Sequence, residues 1–290
     1  MTIAESTRVA HREILTADSA APALPPRPGV GRRLARGGLP VLAALALLVA
    51  AWQVLVWVGV RPRYVVPAPL DVAGSLGAAW SDGTLPSALA HSVGRGLLGF
   101  AVAVVIGTVL GLAVARVAFL RVPVRPILAG LITLPNVAWV PLAIVLFGLT
   151  STTVYAVLLL GSVPAIANSL VSAVDGVPPV LLRAGRVLGA RGLSSLRHVV
   201  LPAALPGYLV GLRQGWAFSW HALMAAEVIA VSPKIGPGLG QFLAQGREAS
   251  DAGAVFAAIL AIFAVGIAVD RLILDPVERV VLRRRGLATR

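Results

Sequence analysis

The sequence predicts an all-α, polytopic membrane protein with six transmembrane helices, and three observations carry the prediction. Only 13% of its 290 residues are charged while 58% are hydrophobic, whereas a soluble domain is about 25% charged. The mean hydropathy is +0.88. Apolar runs of the ~20 residues needed to cross a bilayer recur along the chain, with basic residues gathered between them.

Residues 1–38 are rich in Pro, Ala and Arg and read as a disordered basic tail. The run 41–60, VLAALALLVAAWQVLVWVGV, carries no charge. It exceeds the ~7–15-residue core of a cleaved signal peptide, so it reads as a retained span. Runs at 96–115, 126–148, 153–174, 203–231 and 252–270 complete the six. The domain reading follows: a tail at 1–38, a membrane domain at 39–278 with a basic loop at 176–201, and a basic tail at 279–290.

Placing the amino terminus inside puts nineteen basic residues on the inner side. Four, Arg61, Arg63, Lys234 and Arg247, fall outside, and Arg95 and Arg213 fall in or near spans. This asymmetry predicts that both termini are cytoplasmic.

A net charge of +13 raises nucleic acid as a partner. The basic residues lie between apolar runs, which points to membrane lipid and not to nucleic acid. There is no cysteine, so no disulfide and no cysteine metal site is expected. No H-E-x-x-H and no phosphate-binding G-x-x-x-x-G-K-[ST] occurs. The chain is therefore expected to hold no cofactor and to be no enzyme.

The stretch 183–213, RAGRVLGARGLSSLRHVVLPAALPGYLVGLR, holds five arginines between apolar runs. Pro178 and Pro179 suit a first helical turn, and Asp175 is placed to favour that start. Val180, Leu181, Ala184, Val187 and Leu188 form one apolar stripe, with Arg183 and Arg186 off it. Gly189 and Gly192 break the helix. Ser194 is expected to cap a second short helix through His198, and Pro202 to open the next span. Physics leaves two readings, a loop resting on anionic headgroups or a docking element for a cytoplasmic partner.

Within the spans, Arg213 and Glu227 lie fourteen residues apart, about 21 Å along a helix and on nearly one face. With Trp216 and Trp220 they form a candidate translocation surface, and Asn136 and Trp139 are further candidates for that pathway. The other reading places the two charges near opposite membrane edges, bonded to neighbouring helices. Asn136, with Trp139 nearby, and Asn168 adjoin Pro135 and Pro164, where they can satisfy backbone groups freed at kinks. His221 reads as a packed polar residue. Glycines 94, 96, 99, 107 and 111 suit close helix packing.

RAGRVLG (183–189), then VVLPAALPG (199–207), resembles the E-A-A-x-x-x-G loop of bacterial ABC importer permeases, with its later L-P element. RYVVPAPLDV (63–72), HSVGRGLLGFAVAVVIGTVLGL (91–112), LPNVAWVPLAIVLFG (134–148) and SVPAIANSLVSAVDGV (162–177) resemble further family segments in the same order. So do GLRQGWAFSWHALMAAEVIA (211–230) and GPGLGQF (236–242). The resemblance spans about residues 40–285 and points to the aliphatic sulfonate, taurine and nitrate group. One departure stands out. Arg183 occupies the position of the family's glutamate, and Gly185 that of its second alanine, so the role of that glutamate does not transfer.

The resemblance implies a type I ABC importer permease in the bacterial inner membrane. It implies two ATPase subunits holding ATP and Mg, an external substrate-binding protein, and a second permease copy, forming a homodimer. It implies ATPase coupling through Arg183, Ala184, Gly185, Arg186, Leu188, Gly189, Leu201 and Pro202. The expected cargo is a small anionic solute, an aliphatic sulfonate. A proton-coupled secondary transporter using Glu227 is the alternative. An intramembrane enzyme needs a paired nucleophile and base on facing spans, and none can be named.

Overall fold

The computed structural model describes residues 30–284, and the chain divides after Trp57 into two units. The first holds all but the last residue of helix α1 (Val30–Val58), which starts inside the stretch read as a tail. Its described apolar portion is Leu42–Val58. The rest of that tail, 1–29, and residues 285–290 lie outside the described residues.

The second unit runs through α2 (Pro69–Ser81), α3 (Thr84–Arg116), α4 (Ala118–Thr133), α5 (Trp139–Phe147) and α6 (Ser151–Asp175). It continues with α7 (Pro179–Val187), α8 (Leu201–Ile229), α9 (Leu239–Glu248), α10 (Ala252–Val269) and α11 (Asp275–Arg284). Among the described residues there is no strand. The all-α expectation therefore holds.

Helix α6 is the centre, packed between α3 and α8. Small residues make the close approach possible. A Cβ added to Gly99 of α3 would sit 2.6 Å from Leu158, and one on Gly107 would sit 2.9 Å from Ile166, both on α6. On α8, a Cβ at Gly211 would fall 2.3 Å from Ser169 and one at Gly215 2.5 Å from Ile166. Without lipid–water transfer to drive helices together, such backbone contact supplies the packing attraction. Of the glycines singled out in α3, Gly94 meets nothing within 4 Å.

The expected third span, 126–148, is not one helix. α4 and the segment Asn136–Phe147 meet at 96°. Leu134, at φ −73° and ψ 129°, precedes Pro135, and a residue before proline is pushed out of the helical region. Three helical runs among the described residues are long and apolar enough to cross a membrane: Thr84–Arg116, Ser151–Asp175 and Ala252–Arg284. The bent pair raises this to four. α8 has 29 residues but carries Arg213, Gln214, His221 and Glu227, which dilute its apolar character.

Candidate functional site

The segment after α6 forms the short helix α7 that the prolines predict, with Pro178 at its start. It ends in a glycine cap. Gly189 takes φ +85°, while its N–H bonds to the Arg186 carbonyl at 3.1 Å and the Ala190 N–H to that of Gly185 at 2.8 Å. This double bond pattern closes helices through a left-handed residue that glycine adopts without strain.

The packed face of α7 is not the apolar stripe. Leu182 packs against Val177, Val200 and Ala204, and Gly185 is buried. A Cβ on Gly185 would meet the Val199 side chain at 2.8 Å, so the backbone of α7 lies directly on that side chain of the Leu196–Val200 π-turn. The stripe Val180, Leu181, Ala184, Val187 and Leu188 is turned outward, with Val187 and Leu188 both 86% exposed. Leu193 is exposed beside it, and so are Arg183 and Arg186. An exposed apolar patch with a basic rim is the composition of a contact surface.

Two local expectations are corrected. Ser194 does not cap its helix. The N-cap position is Arg191, without a side-chain bond, and Ser194 contacts His198 one turn on. Pro202 stands with Leu201 in the first turn of α8, as expected, and helix runs without a break from Gly192 through the π-turn into it. Asp175 does not serve the start of α7. It bonds to Arg121 at 2.6 Å and Arg125 at 2.8 Å, both on α4.

The charges of α8 part company. Glu227 is fully buried and takes three donors: Arg95 Nη1 at 2.9 Å, Ser92 Oγ at 2.7 Å and the Gly240 N–H at 3.1 Å. Ser92 Oγ in turn accepts the Leu239 N–H at 2.8 Å. The first turn of α9 is thus capped by side chains from α3 and α8, since its own cap residue, Gly238, has none. The carboxylate also suits the positive end of α9. A Cβ on Gly238 would fall 2.6 Å from the Glu227 carboxyl, which accounts for glycine there. Arg95 further donates to the carbonyls of Ile235 and Pro237, fastening the connection between α8 and α9.

Arg213 faces the other way. It bonds to Asp270 at 2.7 Å, Asp275 at 2.9 Å and Glu278 at 3.0 Å. The Asp270–Leu274 π-turn widens the run between α10 and α11 by one residue. That brings Asp270 and Asp275 onto one guanidinium. Trp216 and Trp220 stack with centroids 5.7 Å apart, and Phe100 meets Trp216 edge-on at 5.5 Å. Trp220 donates to the Ile262 carbonyl at 3.2 Å. Arg213, Trp216, Trp220 and His221 line one cavity of about 400 Å³ between α8 and α10, and Glu227 is not part of it.

Asn136 sits in the turn between α4 and α5. Its amide donates to the Phe218 carbonyl of α8 at 3.3 Å, and its oxygen lies 2.7 Å from where a Gly161 Cβ would be. It bonds a neighbouring helix, not a backbone group freed beside its own proline. Trp139, at the start of α5, buries its Nε1 without a partner. A larger cleft of about 550 Å³ opens between α6 and α8, lined by Asn168, Ser169, Ser172 and Gln214 among others. Gln214, Ser92 and the Asp270, Asp275 and Glu278 carboxylates were not among the residues that the sequence singled out. The signal available for Ser92 was its spacing of three from Arg95, one helical turn.

No group of three or more His, Asp or Glu that could hold a metal occurs among the described residues.

Residues 103–275 match the family described as the binding-protein-dependent transport system inner membrane component. The chain is 32% identical to TauC, a taurine transport system permease protein of Escherichia coli (strain K12), over 70% of this chain and 77% of that one. It is 29% identical to SsuC of Bacillus subtilis (strain 168), provisionally named an aliphatic sulfonates transport permease, over 86% of this chain and 89% of that one. In fold it resembles a chain of the MetNI methionine ABC transporter, solved in an inward-facing conformation. The TM-score is 0.53 at 21% identity, covering 68% of this chain and 94% of that one. The exposed loop and the helical core therefore have a family: the chain belongs to the inner membrane components of binding-protein-dependent transport systems.

Proposed function

We propose that this chain is the membrane-spanning permease of an ABC importer that brings a small anionic solute, an aliphatic sulfonate, into the cytoplasm. The observation that carries the reading is the outward-turned α7. Val187 and Leu188, each 86% exposed, stand beside exposed Arg183 and Arg186 on a helix whose other face packs on Val177, Val199 and Val200. Two ATPase subunits, which hold ATP and Mg, dock there. A second copy of the chain completes the pore, and an external binding protein delivers the solute. Six spans cross the bacterial inner membrane with both termini inside. Alternating access follows from rigid-body movement driven by the partner.

The pathway residues in this reading are Asn136 and Trp139 at the broken helix, with Arg213, Trp216 and Trp220 along α8. The taurine and sulfonate permeases it resembles support the solute class. The proton-coupled alternative through Glu227 draws no support, because Arg95, Ser92 and Gly240 already engage that carboxylate.

The test is uptake into proteoliposomes. This chain, its ATPase and its binding protein are reconstituted with labelled taurine or ethanesulfonate. ATP-dependent uptake is expected, and it is expected to be lost in Gly189→Val. That change puts a side chain on φ +85°, a conformation costing about 1–2 kcal/mol for most residues. Uptake driven by a proton gradient alone, indifferent to the substitution, would overturn the reading.

A further inference from the structure

We infer that Asp175 is a positioning residue that ties the base of the α7 loop to α4, and through α4 to the broken-helix turn at Asn136. The inference rests on the importer reading above. Asp175 is the only acidic residue between Asp82 and Glu227. It is the last residue of α6, next to the turn that leads into α7. Each of its carboxylate oxygens takes one arginine, Oδ1 from Arg121 and Oδ2 from Arg125. Those arginines are four apart, on one face of α4.

The fork is partly solvated, with side-chain exposures of 43%, 44% and 23% for Arg121, Arg125 and Asp175. Ion pairs so exposed add little to stability. Their geometry still fixes register, because one carboxylate satisfies two donors at once. Elsewhere α4 meets α3 and α6 through aliphatic side chains, Val124 and Leu128 against Val114, Ala167 and Val171. Such a surface allows small sliding of packed helices. The fork is the directional link.

The far end of α4 is also fixed. The helix has 16 residues and a length of about 24 Å. It stops at the 96° break, where Asn136 bonds to Phe218 of α8 and its oxygen sits against Gly161 of α6. A continuous helix, with Pro123 and Pro126 inside it, thus joins the base of the docking loop to a turn seated between the two central helices. Displacement of the loop by a docked ATPase moves α4 along its axis and shifts that turn.

The chain has no cysteine, so single cysteines report cleanly. Val137→Cys reports the turn and Leu193→Cys the loop, since both positions are exposed. Their labelling rates by a maleimide are compared in the complex with its ATPase, nucleotide-free and with ATP plus vanadate. Both positions are expected to respond in the otherwise unchanged chain. With Asp175→Asn, position 193 still responds while the response at 137 falls at least about fivefold, the low end of couplings between distant sites. The Arg121→Gln, Arg125→Gln pair gives the same result from the other side, and Asp175→Glu restores the response. A full response at 137 in Asp175→Asn overturns the inference and leaves the importer reading intact. No nucleotide response at either position in the unchanged chain overturns both.

Discussion

Two carboxylates, Glu227 and Asp175, each meet arginine from another helix, and the molecule uses them oppositely. Glu227 is fully buried, holds three donors and caps a helix that has no cap of its own. Asp175 is a quarter exposed and holds two arginines, both more than 40% exposed. The difference is desolvation. A buried charge left without its partner has nowhere to turn, whereas an exposed one is rehydrated. The same pair of residue types is thus a structural knot in one place and an adjustable tie in the other.

The comparison breaks most visibly at Arg95. Arg95→Met leaves Glu227 buried without its cation, and a loss of about 3–5 kcal/mol is expected. Thermal unfolding of the purified chain in detergent measures it, and an unchanged midpoint would mean the knot is not formed as described. Gly240→Val comes next. Its Cβ would fall 2.5 Å from that of Glu227, and overpacking of this kind costs about 1–3 kcal/mol. The same melting experiment, paired with Gly94→Ala in open space as a control, reads it.

Asp175→Asn is expected to change stability by less than about 1 kcal/mol. A larger shift would make the fork structural, like the knot. Leu188→Asp sits at the bottom of the scale. Surface changes of this kind stay within about 0.5 kcal/mol, so melting is unaffected while co-purification of the ATPase is lost. Retained co-purification would move the docking surface elsewhere.

Much of this was legible because the bilayer and the helix impose simple periodicities. Apolar runs located α3, α6 and the α10 run, and the Pro178, Pro179 and Gly189 signals located both ends of α7. The 126–148 run shows where that reasoning stops. Hydropathy averages over a window and does not see a turn, so Pro135 was weighed as a kink when it ends one helix and starts another at 96°. Of the two readings of Arg213 and Glu227, the one that bonds each to neighbouring helices holds, and the shared translocation surface does not. Helix packing gave each its own neighbours, from the Asp270–Leu274 π-turn and α11 in one case and from α3 and α9 in the other. The missed residues are those whose partners lie far away in sequence. Ser92 and Glu227 are 135 positions apart.

The sequence by itself determined what depends on composition and local spacing: an all-helical, membrane-type chain, a basic loop, a short helix bounded by proline and glycine, and a resemblance carried by ordered motifs. Only the tertiary structure decided which way the α7 stripe points, which arginine each carboxylate receives, and that Glu227 belongs to a knot outside the Arg213 cavity. The reason is physical. Helix formation and membrane partition are set within a few turns of chain. The partner of a charge depends on which helices approach closely enough to exclude water, and here small residues on α3, α6 and α8 made that choice.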